Sequence, residues 1–108
     1  MNWHSLTSSA DLEKIKQISE TSPVLIFKHS TRCSVSSMAK RKLESEWDFP
    51  EEKVVPYYLD LLAYRPISDS IARDFSVTHQ SPQILLIKNG KCVYNASHHH
   101  ISAADIAV

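Results

Sequence analysis

Val24-Leu-Ile-Phe27 is a run of four apolar, strand-forming residues with no polar residue alternating among them. A strand with one wet face alternates, whereas an unbroken run is buried on both faces and lies at the centre of a covered sheet. The rest of the chain must therefore supply layers for both sides of that strand. Thr7 or Ser8 can cap a helix over about residues 10–19, with Leu12, Ile15 and Ile18 at helical spacing and Pro23 closing the segment. A second helix is predicted from Cys33 to about Trp47, with Val35, Met38, Ala39 and Leu43 toward the core and Lys40, Arg41, Lys42, Glu44 and Glu46 mostly outward.

Glu51 to Lys53 read as a polar connection and residues 54–62 as a second strand. Pro66 suits the first turn of a third helix whose apolar stripe is Ile67, Ile71, Ala72 and Phe75. Residues 83–88 and 91–95 flank Asn89-Gly90, the strongest short hairpin signal, and Ser102 can cap a last short helix through Val108. Two helical crossovers imply parallel strands and the hairpin implies an antiparallel pair. The expectation is an α/β fold: a mixed central sheet, helices on both faces and a C-terminal β-hairpin, with residues 1–108 as a single domain.

Composition narrows the function. Twelve basic and twelve acidic residues give no basic excess, so no nucleic-acid partner is expected. No segment has the length of a membrane span and residues 1–20 hold no signal-like apolar stretch, so no membrane partner and a cytoplasmic location are expected. In that compartment two cysteines point to reactive or buried thiols rather than a structural disulfide. Gly90 is the single glycine, which excludes glycine-rich phosphate loops.

Cys33 carries the chemistry. At a strand-to-helix junction its sulfur sits over the N–H groups and positive end of a helix, a setting that favours thiolate over thiol. Arg32, Lys28 and His29 are expected to add positive charge. Ser36, one helical turn on, stands where a second cysteine would allow internal resolution, and its hydroxyl can donate to the Cys33 sulfur. Ser34 and Thr31 are weaker candidates of that kind. A two-residue Asn89-Gly90 turn pairs Cys92 with Ile87, roughly 16 Å of strand beyond Pro82, and the fold resemblance given below implies that Cys33 lies by Pro82, so Cys92 is not expected to resolve it. One-thiol exchange is what remains. The consecutive His98, His99 and His100 cannot all face one ion from a strand, so no metal site is expected; their role stays open.

Cys33, Asp60 at a strand end, Val77 through Pro82 and Lys88-Asn-Gly-Lys91 together resemble the thioredoxin fold. That resemblance implies a cis Ser81-Pro82 bond beside Cys33, with Ser81 offering its backbone to an extended substrate and Thr31, His79 and Gln80 bordering the same pocket. More narrowly, Lys28-His-Ser-Thr-Arg-Cys33-Ser-Val-Ser36, with His98-His-His-Ile-Ser102, resembles the monothiol bacilliredoxins of the YtxJ type. The resemblance implies no bound cofactor, bacillithiol as co-substrate, and S-bacillithiolated proteins as partners, from which Cys33 removes the small thiol. Arg32 would attract the carboxylates of bacillithiol; Lys40, Arg41 and Lys42 read as a solvated helix face. Two other readings fit a lone cysteine at a helix start: a glutaredoxin-like carrier of an iron–sulfur cluster, and a redox-inert thioredoxin-fold binding module. Asp60 reads as a cap or strand-end residue rather than an acid–base helper.

Overall fold

The computed structural model describes residues 1–50 and 52–107. Glu51, at the start of the polar connection, and Val108, at the end of the expected last helix, lie outside the described residues. The elements run β1 (His4–Ser5), α1 (Ser9–Ile18), β2 (Val24–His29), α2 (Ser34–Glu46), β3 (Val55–Asp60), α3 (Arg65–Asp74), β4 (Gln83–Lys88) and β5 (Lys91–Ser97), then 3-10 turns at His98–His100 and Ala103–Asp105.

The sheet order is β1-β3-β2-β4-β5, with β1, β3 and β2 parallel and β4 and β5 antiparallel. β2 is thus the central strand, and all six of its residues are buried. Its side chains divide the core in two. Val24 and Ile26 join Leu12, Ile15, Ile71 and Phe75 on the α1/α3 side, while Leu25 and Phe27 join Ala39, Leu43 and Ile101 on the α2 side. Ser8 caps α1 by accepting from the Asp11 N–H. Lys88 pairs with Lys91 and Ile87 with Cys92 as the hairpin requires; Val93 is the extra residue where the register shifts after Leu86.

Several local expectations are corrected. Met38 does not face the core: it is 60% exposed, and the buried stripe of α2 is Ser36, Ala39 and Leu43. The helix is turned so that the buried Ser36 hydroxyl meets the part-buried Ser30 N–H and the His29 ring, hydrogen bonds that outweigh burial of the larger side chain. The last helix is only a 3-10 turn. Ser102 does cap it through Ala104, but Ile101, Ala103 and Ile106 are all buried, a spacing that a continuing α-helix would not satisfy. The short edge strand β1 was not anticipated. It is held by parallel pairing of His4 and Ser5 with Tyr57 and Tyr58, and Trp3 beside it stacks on Phe27 and donates to Glu44.

Candidate active site

Cys33 is the N-cap of α2, with extended backbone (φ −107°, ψ 121°) and partial exposure. The turn that delivers it is closed by the Cys33 N–H donating to Ser30 O at 3.1 Å, and the helix starts with Ser37 N–H donating to Cys33 O. The side chain therefore stands beside first-turn N–H groups that have no intrahelical acceptor. That first turn contains no acidic residue, so nothing on it opposes the positive helix end, and an anion there is favourably placed.

Ser36 is fully buried. Its Oγ accepts from the Ser30 N–H at 3.0 Å and lies 2.6 Å from His29 Nδ1. The hydroxyl thus fastens the first turn of α2 to the end of β2 and braces the turn carrying Cys33 from behind. Ser36→Ala leaves a part-buried amide N–H and a buried imidazole nitrogen without this partner. A loss of about 1–3 kcal/mol in folding stability is expected from urea unfolding, and a midpoint within error of wild type would contradict the bracing role.

His29 and Lys28 do not contribute charge in the way expected. Burial, with Lys40 second, pushes the His29 pKa down, against smaller opposing effects of Asp60 and Glu44, which leaves the imidazole neutral near pH 7. Lys28 is buried on the α1/α3 side, where its Nζ donates to Ser68 O and to His79 Nδ1, each at 3.3 Å. Because an ammonium only donates, His79 must accept through Nδ1. Burial, then Lys28 and Arg65, hold the His79 pKa low. Arg32 and Thr31 are exposed in the turn before Cys33.

The Ser81–Pro82 peptide is cis. Gln83 pairs with Lys28 across β4 and β2, so Pro82 lies at the same end of the sheet as the turn leading to Cys33. Pro82 is buried and Ser81 half-buried. The segment before them is fastened from inside: Gln83 Nε2 donates to Thr78 O, Gln83 Oε1 accepts from Gln80 N–H, and Ser68 Oγ lies 3.3 Å from His79 Nδ1. These fasteners, Gln83, Lys28 and Ser68, escaped the sequence reading. The one signal was a glutamine at the head of an otherwise apolar strand directly after Pro82. Asp60 accepts the Leu62 N–H and shapes the chain's exit from β3.

Cys92 sits at the other end. Its partner Ile87 is opposite Val24, four residues back along β2 from Lys28, roughly 13 Å at the strand rise. It packs with the α1/α3 core, its Sγ donates to Tyr94 O, and burial pushes its pKa up. Both cysteines are free. Among the described residues, no three His, Cys, Asp or Glu side chains are grouped to hold a metal, and no helix is long and apolar enough to cross a membrane.

A sheet of this topology, with a cysteine capping α2 opposite a cis-proline, defines a thiol oxidoreductase of the thioredoxin fold. The sequence pattern of monothiol bacilliredoxin BrxC matches residues 4–106, and the chain belongs to that family. Among solved structures, a thioredoxin-fold protein provisionally described as an oxidoreductase is 32% identical with TM-score 0.78, over 93% of this chain and 86% of that one. Thioredoxin from Malassezia sympodialis (18% identity, TM-score 0.73, 90% and 79% covered) and thioredoxin from Trypanosoma brucei brucei (14%, 0.71, 90% and 79%) share the fold.

Proposed function

We propose that the protein removes bacillithiol from mixed disulfides on oxidised proteins by a one-thiol mechanism at Cys33, in the cytoplasm and without a bound cofactor. The observation that carries this reading is the pairing of an accessible Cys33 at a helix N-terminus with a buried Ser36 in place of a resolving thiol. The Cys33 thiolate attacks the bacillithiol sulfur; the new S–S bond forms as the old one breaks, and the client cysteine leaves as thiolate. A second bacillithiol thiolate then attacks the bacillithiol sulfur on Cys33, which regenerates the Cys33 thiolate and releases bacillithiol disulfide. Attack on the client sulfur instead would strand the enzyme in a complex that no second thiol of its own resolves.

In this reading Ser81 presents backbone to the extended client beside Pro82, and Thr31 and His79 border the same substrate pocket. Arg32 and the α2 N-terminus stabilise the thiolate, with Ser36 holding the turn in place. The test is intact mass after exposure to bacillithiol disulfide in a Cys92→Ser background. One adduct on Cys33, removed by free bacillithiol, is expected. Absence of an adduct while iodoacetamide still alkylates Cys33 would overturn the assignment.

A further inference from the structure

A groove of about 160 Å³ runs along α2 just beyond Cys33. Val35, Met38 and Lys42 line one side at helical spacing, and His98 and His99 close the other. The outward rotation of Met38 creates its apolar floor. Its far wall is tied to the active site, because the His98 N–H donates to Pro82 O at 3.0 Å and His98 adopts a left-handed φ of 55°. A non-glycine residue in that region is held there by its surroundings, and such positions concentrate at functional sites.

Lys42 is the one Lys, Arg, Asp or Glu side chain among the described residues that lines the groove. Lys42, His98 and His99 are exposed and have no side-chain partner among the described residues, and no acidic residue lines the groove. Lys40, by contrast, is already engaged by Glu44 at 2.9 Å and lies over Trp3 and Tyr58. Lys42 and Met38 line the groove together, one helical turn apart on α2. The volume is below that of an ordinary small-molecule pocket of roughly 300 Å³ or more, so it suits part of a ligand already fixed elsewhere.

We propose that this groove seats the carboxylate-bearing half of the small thiol while its sulfur is bonded to Cys33, with Lys42, His98 and His99 as anion contacts. The inference rests on the bacillithiol reading above and assigns the histidine run a specificity role. It also moves the carboxylate contacts from Arg32 alone to the far side of Cys33.

The test compares rates of Cys33 thiolation by bacillithiol disulfide and by uncharged hydroxyethyl disulfide, in a Cys92→Ser background. The variant carries Lys42→Gln, His98→Asn and His99→Gln; asparagine tolerates the left-handed backbone at 98, and all three sites are exposed. Wild type is expected to favour bacillithiol disulfide, and the variant to lose about tenfold of that preference with its hydroxyethyl disulfide rate unchanged, as 1–2 kcal/mol of charge-assisted contact implies. A preference retained by the variant overturns the groove but not the bacillithiol reading, and so does an equal loss on both disulfides. Loss confined to protein mixed disulfides assigns the groove to client polypeptide and also overturns it. No preference in wild type overturns both.

Discussion

Cys33→Ser is expected to remove catalysed release of bacillithiol from a modified client completely, leaving only the background exchange driven by free bacillithiol. A serine hydroxyl does not exchange with disulfides at neutral pH, and nothing near the site can replace the thiol. Cys92→Ser is expected to keep activity within about twofold, since a half-buried thiol with a raised pKa presents little thiolate and exchange follows the thiolate. The separation of the two residues makes this contrast sharp: Cys33 caps α2 at the Pro82 end of the sheet, and Cys92 lies opposite Val24 at the other. A second readout strengthens it. In the one-thiol mechanism, turnover depends on free bacillithiol, so the steady-state rate rises with its concentration even when client is saturating. Equal losses in the two variants, or turnover without added small thiol, would sink the mechanism.

The parts of the fold that were readable in the sequence are those where one physical signal acts alone. The unbroken apolar run at Val24–Phe27 is central and buried, and Asn89-Gly90 sets the hairpin register through Ile87 and Cys92. Asn89 and Gly90 both adopt positive φ, as a two-residue turn of that kind demands. Signals that compete were misread. The rotation of α2 puts Ser36, a small polar residue, inward rather than Met38, and there its hydroxyl accepts from the part-buried Ser30 amide. Strand β1 has two residues and no periodicity to detect. Beside it Trp3 meets Phe27 and Glu44, residues 24 and 41 positions away in the chain.

At the site, Cys33 was legible because its chemistry follows from its local position. Lys28 was not, because its neighbours Ser68 and His79 are 40 and 51 residues away. A lysine five residues before a cysteine suggests a shared electrostatic environment. Strand alternation puts it on the other face of the sheet, where it works on the loop ahead of Pro82 instead.

That placement makes Lys28 a source of pH-dependent stability. The side chain is fully buried, and no carboxylate lies within ion-pair distance of it among the described residues. Burial pushes its pKa down from 10.5 to about 8; Asp69 opposes this and Arg65 adds to it. Below pH 8 the amine is protonated in both states and folding bears the full cost of burying the charge. Between about 8 and 10.5 the folded protein has released a proton that the unfolded chain still holds, so this group's contribution to stability rises with pH. A shift of that size corresponds to roughly 3 kcal/mol as an upper figure.

The bulk stability curve will not show that rise by itself, since burial raises the pKa of Cys92 from 9.0 and of Tyr57, Tyr58 and Tyr94 from 10.0, and these groups lose stability in the upper part of that range and above it. The difference between wild type and Lys28→Met isolates it. Methionine fills the apolar volume, and Ser68 Oγ remains beside His79 Nδ1 to satisfy it. At pH 7 the variant is expected to equal or exceed wild type in urea unfolding, because an uncompensated buried charge has been replaced by an apolar group. Its advantage should shrink steadily from pH 8 to 10.5. A difference that stays flat from pH 7 to 10.5 would show that burial does not lower the Lys28 pKa. A variant that is more stable but slower in exchange would mean that the cost of burying the ammonium is retained for its hold on His79 and the loop leading to Pro82.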